Sequence, residues 1–259
     1  MLHVRDLGSG PPVVLLHPGP GLDGSVFLPG AQRLVDAGHR VILADLPGSG
    51  HSPDPPAWTL RAMAREVQDL VGGLDDCTLL GHSFGGYVAM QHLVDFPGSA
   101  ARLVASCTDA EEEPPPGMPE DPTAALPEDV AAGVRAAFER EATVSTPEEC
   151  REVWLAQLPL FAVDPERVAP MLDDVHFRPE AHHEHDWGEL HALDALAAAD
   201  VPVLSIAGER DEMRPAAERI AAAAKHGELV VVPAAGHFPF AEAPDAYWGA
   251  LTDWLARMR

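Results

Sequence analysis

Short, unbroken apolar runs recur along the chain, and most of them are followed by a loop rich in glycine, proline or acidic residues. A strand that is buried on both faces carries apolar side chains at successive positions, so these runs predict the strands of a mostly parallel sheet. A short edge strand is predicted ahead of them. The predicted strands are 2–6, 13–16, 41–44, 77–80, 103–106, 201–207 and 229–232.

Between these runs, apolar residues recur at spacings of three and four, which is the pattern of a helix with one buried face. Thr59 is a typical N-cap for one such helix, and Gly38 and Gly227 are predicted to end two others. Strands that alternate with helices indicate right-handed βαβ units and therefore an α/β fold. The predicted helices are 29–37, 60–74, one from Phe84 to the stop at 96–98, 215–225, and a final helix with Tyr247, Trp248, Leu251, Trp254 and Leu255 on its apolar face.

The character of the chain changes after Cys107. Residues 111–122 are rich in glutamate and proline, and the residues that follow carry helix signals but no strand signals. Helices are predicted at 127–141, after the capping box that begins at Thr146, and after Asp164. We therefore predict a helical insertion over residues 108–195, placed where a lid would cover the strand ends. The core domain would comprise residues 1–107 and 196–259.

The composition limits which classes of partner the protein can bind and indicates its cellular compartment. The chain carries 17 basic and 41 acidic residues, a net charge of −24, which argues against nucleic acid or an anionic membrane surface as partner. No apolar run approaches the roughly 20 residues of a membrane span, and no secretory signal is visible near Met1. The three cysteines, Cys77, Cys107 and Cys150, are too scattered for a disulfide framework or a metal site. We expect a cytoplasmic protein.

The acidic excess is concentrated in the predicted insertion. From Asp109 to Glu189 there are 21 acidic residues and 5 arginines, a net charge of −16. One explanation of this acidic excess is that it keeps the protein soluble or reflects an acidic cellular setting. The other is that it gives the protein a preference for cationic substrates. The stretch from Glu180 to Asp186 also contains histidines, but it lacks the i, i+4 pair of a helical metal site and has no cysteine nearby. We interpret it as a solvated acidic stretch and predict no metal.

One loop joins a predicted buried strand directly to a predicted helix, and its sequence is Gly-His-Ser-Phe-Gly-Gly from Gly81 to Gly86. Gly-x-Ser-x-Gly in this context is typical of a nucleophile elbow, a strained turn that lifts the serine hydroxyl clear of the backbone. Gly81 and Gly85 leave room for strand and helix to cross, and the helix beginning at Phe84 directs its first amides at an oxyanion. We interpret Ser83 as a nucleophile rather than as part of a glycine-rich turn.

A serine hydroxyl needs a base to take its proton, and the base needs a third group to orient it. His237 follows the last predicted strand and Asp211 follows the strand before it, so both are expected at the sheet edge that carries Ser83. The chain order Ser, Asp, His is that of α/β-hydrolases and differs from trypsin-like and subtilisin-like enzymes. Asp109, which follows an earlier strand, is a competing candidate for the orienting acid. The alternatives to catalytic roles are that Asp211 caps a helix and that His237 is a plain loop histidine.

With these motifs the sequence resembles the α/β-hydrolase family over nearly its whole length outside the insertion. The matching motifs are His17–Gly21, Gly81–Gly86, Gly208–Asp211 and Gly236-His237. The resemblance implies an α/β-hydrolase fold, a mostly parallel sheet flanked by helices, with a helical lid inserted after the sixth strand. It also implies that Ser83 is the nucleophile, Asp211 the orienting acid and His237 the general base. The backbone amides of Gly19 and Phe84 would form the oxyanion hole.

Within that family, serine at position 83 argues against haloalkane dehalogenases and epoxide hydrolases, which use an aspartate there. The His17–Gly21 loop and the acidic helical lid are similar to proline iminopeptidases, in which lid glutamates hold the amino terminus of a peptide. The chain departs from that group at Pro18, where glycine is usual, and at Phe84, where tryptophan is usual after the serine.

The resulting expectation is a serine hydrolase that cleaves an ester or amide through an acyl-enzyme, with iminopeptidase-like activity as the specific prediction. A carboxylesterase or lactonase is the alternative, and a binding protein that has lost catalysis is a third reading. The expected partner is a small molecule or short peptide, with no cofactor, and the oligomeric state is left open. His82, His17 and Cys77 are interpreted as structural: an elbow residue, a loop hydrogen-bonder and a core residue.

Overall fold

The computed structural model describes residues 1–118, 120–183 and 185–258. Its strands are β1 (Val4–Gly8), β2 (Pro12–Leu16), β3 (Arg40–Ala44), β4 (Thr78–His82), β5 (Arg102–Ser106), β6 (Pro202–Gly208) and β7 (His226–Val232). They form one sheet in the order β1-β3-β2-β4-β5-β6-β7. β1 runs antiparallel to β3, and the other pairings are parallel. The predicted mostly parallel sheet is confirmed.

The helices are α1 (Leu28–Asp36), α2 (Leu60–Val71), α3 (Phe84–Asp95), α4 (Glu128–Glu141), α5 (Pro147–Phe161), α6 (Pro165–Val168), α7 (Leu193–Ala198), α8 (Arg214–Ala223), α9 (Pro239–Glu242) and α10 (Pro244–Arg257). They cover both faces of the sheet because successive strand residues point to opposite sides. Val13 and Leu15 share a buried cluster with α1 and α10, whereas Val14 and Leu16 share one with α2 and α3. All four side chains are fully buried, which explains the unbroken apolar run.

Two boundary predictions need correction. The edge strand lies at Val4–Gly8 rather than 2–6, because the register that pairs it with β3 runs from Val4 opposite Ala44 to Gly8 opposite Arg40. Gly227 does not end a helix, since α8 stops at Ala223 and Gly227 lies within β7. A Cβ atom at position 227 would overlap the carbonyl oxygen of Ala221, so this glycine permits the close approach of β7 to the preceding helix.

The helical insertion follows the fifth strand in chain order, not the sixth. Only β1 lies beyond β3 at the antiparallel edge of the described sheet, so one strand fewer precedes the insertion than the family resemblance implied. Between β5 and β6 the described residues form helices, turns and one isolated β-bridge. The predicted capping box is present, with Thr146 Oγ1 accepting from the Glu149 amide at 3.2 Å and Glu149 Oε2 accepting from the Thr146 amide at 3.2 Å.

The two ends of the insertion lie side by side and form a neck. The Glu112 amide donates to the Leu190 carbonyl at 2.9 Å, and the Ala192 amide donates to the Ala110 carbonyl at 2.8 Å. Helix α7 begins just beyond this neck, and its Leu196 is fully buried in the cluster that includes α2 and α3. The division of the chain at 108 and 195 remains a prediction, and α7 starts shortly before its second boundary.

Two residues named in the sequence analysis, Pro119 of the proline-rich linker and Glu184 of the histidine-containing stretch, lie outside the described residues. Within the described ranges, none of the helices combines the length and apolar character needed to cross a membrane.

Candidate active site

Ser83 occupies the turn between β4 and α3 with φ 52° and ψ −118°. This is a left-handed region that a residue with a side chain rarely adopts, and such strain typically costs about 1–3 kcal/mol. Hydrogen bonds hold it in place: the Ser83 amide donates to the Ser106 carbonyl at 2.9 Å. Its own carbonyl accepts from the Gly86 amide at 2.8 Å and from Thr108 Oγ1 at 2.9 Å. The side chain is partly exposed.

The glycines that flank the serine are required by crowding. A Cβ atom on Gly81 would overlap the Gly85 carbonyl, and one on Gly85 would overlap the Leu16 carbonyl at the end of β2. The Gly-x-Ser-x-Gly pattern therefore reflects the tight crossing of β4, α3 and the neighbouring strand end. The same crossing brings the loop after β2 next to the start of α3.

The structure brings Ser83, His237 and Asp211 together. His237 Nε2 lies 2.9 Å from Ser83 Oγ, and His237 Nδ1 lies 3.0 Å from Asp211 Oδ1. Asp211 Oδ1 also accepts from the Met213 amide at 3.1 Å. Since β4, β5, β6 and β7 are parallel neighbours, the loops at their carboxyl ends meet at one edge of the sheet. An imidazole with one nitrogen at a hydroxyl and the other at a carboxylate can remove the hydroxyl proton.

The electrostatics of the trio match that chemistry. Burial lowers the pKa of His237, but the charge of Asp211, its hydrogen bond and the charges of Glu212 and Glu242 outweigh burial and hold this pKa above its ordinary value. Burial raises the pKa of Asp211, but the charge of His237 and its hydrogen bond hold it below the ordinary value. Asp211 is thus kept as an anion, and an anion at this position can stabilise an imidazolium on His237.

The competing acid, Asp109, is engaged elsewhere. Its Oδ1 accepts from Arg219 Nη2 and from the Ala110 amide at 2.6 Å. The structure therefore does not bring Asp109 to His237.

The two predicted oxyanion donors lie on adjacent elements. Phe84 is the first residue of α3, so its amide has no acceptor within the helix. Gly19 lies in the loop after β2, which His17 stiffens from inside: His17 Nδ1 contacts the Pro18 carbonyl at 2.6 Å, and His17 Nε2 accepts from the Leu46 amide at 2.9 Å. A neutral ring protonated on Nδ1 satisfies both bonds, and burial lowers the pKa of His17. His17 is a structural hydrogen-bonder, as expected.

These elements can be compared with known proteins. The model of the alpha/beta hydrolase family matches residues 13–250. The chain belongs to the α/β-hydrolase family. It is an enzyme of the hydrolase class, with the fold that the resemblance implied.

Curated relatives of this α/β-hydrolase carry hydrolase names. It is 30% identical to "Putative carbamate hydrolase RutD" of Variovorax paradoxus over 256 residues, covering 95% of this chain and 92% of that protein. It is 28% identical over 267 residues to the pimeloyl-[acyl-carrier protein] methyl ester esterase of Xanthomonas campestris, covering 99% and 100% of the two chains.

Solved structures give the same picture. A thermophilic esterase from Thermogutta terrifontis superposes with a TM-score of 0.76 at 27% identity, covering 99% of this chain and 93% of that one. A proline iminopeptidase from Mycobacterium smegmatis superposes with a TM-score of 0.67 at 24% identity, covering 98% and 94%, and shares the fold. The predicted iminopeptidase specificity receives no support from these relatives.

Four other histidines of the hydrolase each have a different set of contacts. His82 is buried, with Nδ1 2.9 Å from Ser106 Oγ, and burial holds its pKa well below the ordinary value. His183 Nε2 contacts the Val144 carbonyl at 3.3 Å, and His185 stacks on Trp58 at 4.2 Å. His182 departs from the predicted solvated stretch: its side chain is fully buried against Gly21, 3.3 Å from Glu141.

Among the described residues, one cluster combines enough donor atoms for a metal ion: Cys107, Asp211 and His237, whose donor atoms lie within 4.8 Å of one another. Burial raises the pKa of the Cys107 thiol well above its ordinary value, and a metal needs the thiolate. Asp211 and His237 are also hydrogen-bonded to each other. This donor set fits a metal poorly.

A cavity of about 670 Å³ opens beside the side chain of Phe84. Its walls combine aromatic residues, including Tyr87 and Trp187, with carboxylates that include Glu111 and Glu112. Trp187 belongs to the insertion and packs edge-on against Phe84 at 4.8 Å between ring centroids. The insertion and the elbow helix therefore share a wall of this cavity.

Two residues next to His237 escaped the sequence analysis. The Phe161 carbonyl accepts from the His237 amide at 2.7 Å, and the Glu242 carboxylate accepts from the Gly236 amide at 2.7 Å. A signal for Glu242 was present, because it is the one charge in the otherwise apolar run from Phe238 to Ala243. Phe161 accepts this bond through its backbone, which any residue type could do, and its ring centroid lies 5.4 Å from that of His237.

Proposed function

We propose that the protein hydrolyses carboxylic esters of small molecules through an acyl-enzyme on Ser83. The observation that carries the proposal is the His237 ring, which lies 2.9 Å from Ser83 Oγ and 3.0 Å from Asp211 Oδ1. The relatives support the ester, because they are named as a methyl ester esterase and as a thermophilic esterase. The partly exposed Ser83 leaves its hydroxyl accessible to a substrate.

In this mechanism Ser83 Oγ attacks the ester carbonyl carbon while its proton passes to His237 Nε2. Asp211 stabilises the imidazolium that results. The amides of Phe84 and Gly19 donate to the oxyanion of the tetrahedral intermediate, and donors of this kind typically contribute about 3 kcal/mol each. The intermediate expels the alcohol, which takes the proton from His237. Water then attacks the acyl-enzyme by the same steps and releases the acid.

The insertion at 108–195 is proposed as the lid that shapes the substrate pocket. Its support is the position of Trp187 against Phe84 and of the Phe161 backbone against His237. The carboxylates that line the cavity beside Phe84 leave a preference for cationic esters open to test. For an iminopeptidase, specific lid glutamates would have to bind a substrate amine.

The test compares kcat/KM for three substrates of similar size: a neutral aryl ester, a proline arylamide and the N-acetylated form of that arylamide. An esterase turns over the neutral ester best, and acetylation of the amine changes the slower arylamide reaction less than about tenfold, or roughly 1.4 kcal/mol of transition-state binding. If the free amine is the best substrate and acetylation costs more than tenfold, the protein is an aminopeptidase and the ester proposal is wrong.

A further inference from the structure

Glu242 is a buried carboxylate outside the trio of Ser83, Asp211 and His237. It is 3% exposed and ends α9, five residues after His237. Oε1 accepts from the Val163 amide at 2.7 Å and the Asp164 amide at 3.2 Å, and Oε2 accepts from the Gly236 amide at 2.7 Å. A carboxylate with several backbone donors is a strong acceptor, since each bond is charge-assisted.

In the described part of the chain no cation pairs with this carboxylate. Arg167 donates through Nη1 to the Glu242 backbone carbonyl at 2.7 Å rather than to the carboxylate. Backbone amides therefore supply the hydrogen bonds that offset the burial of the Glu242 charge.

These bonds join two parts of the fold. Val163 and Asp164 follow α5 of the insertion, whereas Gly236 immediately precedes His237. The His237 amide in turn donates to the Phe161 carbonyl at 2.7 Å. Gly236 has no room for a side chain, because a Cβ atom there would overlap that same carbonyl. The loop that carries His237 is thus hydrogen-bonded to the end of α5, directly through the His237 amide and indirectly through the Glu242 carboxylate.

We propose that Glu242 is a positioning residue for the reaction: its carboxylate fixes the His237 loop to the insertion and keeps the imidazole aligned between Ser83 and Asp211. The inference rests on the proposed function, because it takes His237 as the base. Glu242 touches none of the reacting atoms and acts through Gly236 and the backbone of His237.

Glu242 also contributes charge. The titratable groups that face His237 are Asp211, Glu212 and Glu242, the His82 ring at 5.3 Å and the Cys107 thiol. The carboxylates favour the imidazolium, while His82 is kept neutral by burial. Removing the charge at position 242 therefore lowers the pKa of His237 and destabilises the imidazolium formed in the transition state.

The test is Glu242→Gln with Glu209→Gln as the matched control. Glu209 Oε2 accepts from the Ala234 amide of the same loop at 3.0 Å, but Glu209 is exposed and, within the described ranges, forms no hydrogen bond to Gly236 or His237. In Glu242→Gln the side-chain NH₂ must face at least one backbone donor, so the loop loses alignment. We expect kcat to fall roughly tenfold to a hundredfold with little change in KM, since the loss falls on the transition state. We expect Glu209→Gln to stay within about twofold of the wild type, because it is a surface substitution.

A second measurement is the titration of His237, monitored by NMR of its Cε1–H signal in the absence of substrate. A purely structural role of Glu242 would leave this titration unchanged. Its midpoint should move to lower pH in Glu242→Gln and stay unchanged in Glu209→Gln. The acid limb of kcat/KM should move by the same amount. Equal midpoints and equal kcat in the two variants overturn the proposal. If no ester is turned over by the wild type, the proposed function fails, whereas the titration still decides the role of Glu242.

A measurement on the wild type covers the case in which Glu242→Gln does not fold. Val163 is 54% exposed, and within the part of the chain that the structure describes its amide donates to Glu242. Its hydrogen exchange should be at least about tenfold slower than that of Ala234, whose partner Glu209 is exposed. Equal exchange at the two amides contradicts a fixed Glu242 bridge.

Discussion

The charge of Asp211 is the most direct test of the candidate site, and Asp211→Asn isolates it. Oδ1 accepts from both His237 Nδ1 and the Met213 amide, whereas Oδ2 is buried without a hydrogen-bond partner among the described residues. An asparagine that keeps its oxygen at Oδ1 retains both bonds. A flipped side chain would set its NH₂ against the Met213 donor. The substitution therefore removes charge while the tautomer of His237 is maintained.

The magnitude follows from the 3.0 Å separation of His237 Nδ1 and Asp211 Oδ1. Two unit charges at that distance interact by about 5 kcal/mol at an effective dielectric constant of about 20. The imidazolium exists only after Ser83 has given up its proton, so this energy is lost mainly from the transition state. That corresponds to a fall of about ten-thousand-fold in kcat/KM.

The assay is kcat/KM for an aryl ester as a function of pH, with Asp109→Asn as the control. His237 must be neutral to act as base, and Asp211 raises its pKa, so the acid limb of the wild type lies above the ordinary histidine value. Without the charge, this limb should move to lower pH. Asp109 is also buried but is paired with Arg219, so Asp109→Asn should leave kcat/KM within a few-fold. Asp211→Asn activity within tenfold of the wild type, or a large loss in Asp109→Asn, would show that the acid is assigned wrongly.

Other predictions address the nucleophile and the elbow. A fluorophosphonate probe should label the wild type once, at Ser83 by mass spectrometry, because His237 activates that hydroxyl; labelling of Ser83→Ala at the wild-type rate rules the assignment out. Gly85→Ala should lower the free energy of unfolding by at least about 2 kcal/mol in chemical denaturation, since the added methyl overlaps the Leu16 carbonyl. Gly249→Ala in α10, where nothing lies within 4 Å, should instead raise it by about 0.5–1 kcal/mol. Equal effects at the two glycines would contradict the crowding argument.

The local pattern of apolar and polar residues was sufficient to predict most of the fold. Runs such as Val13 to Leu16 are buried on both faces, so apolar and polar residues do not alternate along them. These unbroken apolar runs allowed the strands of the sheet to be predicted from the sequence. The position of Gly227 was misread because a glycine after a helix has two explanations, an end signal and a close approach of backbones. Only the contact with Ala221 distinguishes them, and that contact depends on how β7 packs on α8. Edge strand β1 was shifted because its register is set by β3 rather than by its own residues.

The residues of the candidate site could be predicted from the sequence where their chemistry lies in side chains at strand ends. Ser83, Asp211 and His237 could be named because each follows an apolar run in a fixed order. The Phe161 carbonyl could not, since any residue offers one. His182 was interpreted as solvated from its acidic neighbours, yet it is buried against Gly21, because the insertion folds back on the loop after β2. The iminopeptidase specificity was predicted from the His17–Gly21 loop and the acidic helical insertion, and neither a loop motif nor charge density defines the geometry of an amine site.

The neck of the insertion has a consequence for how this enzyme can diversify. Since Ala110 and Ala192 are hydrogen-bonded neighbours, the chain enters and leaves the insertion at adjacent points. Recombination or engineering can exchange that whole segment for one of another length without stretching β5 or β6. One constraint on the exchange lies at the His237 loop: an incoming segment must bring an acceptor for the His237 amide and donors for Glu242. Grafted segments selected for new substrates should therefore vary freely in sequence but converge on the backbone course of residues 161–164.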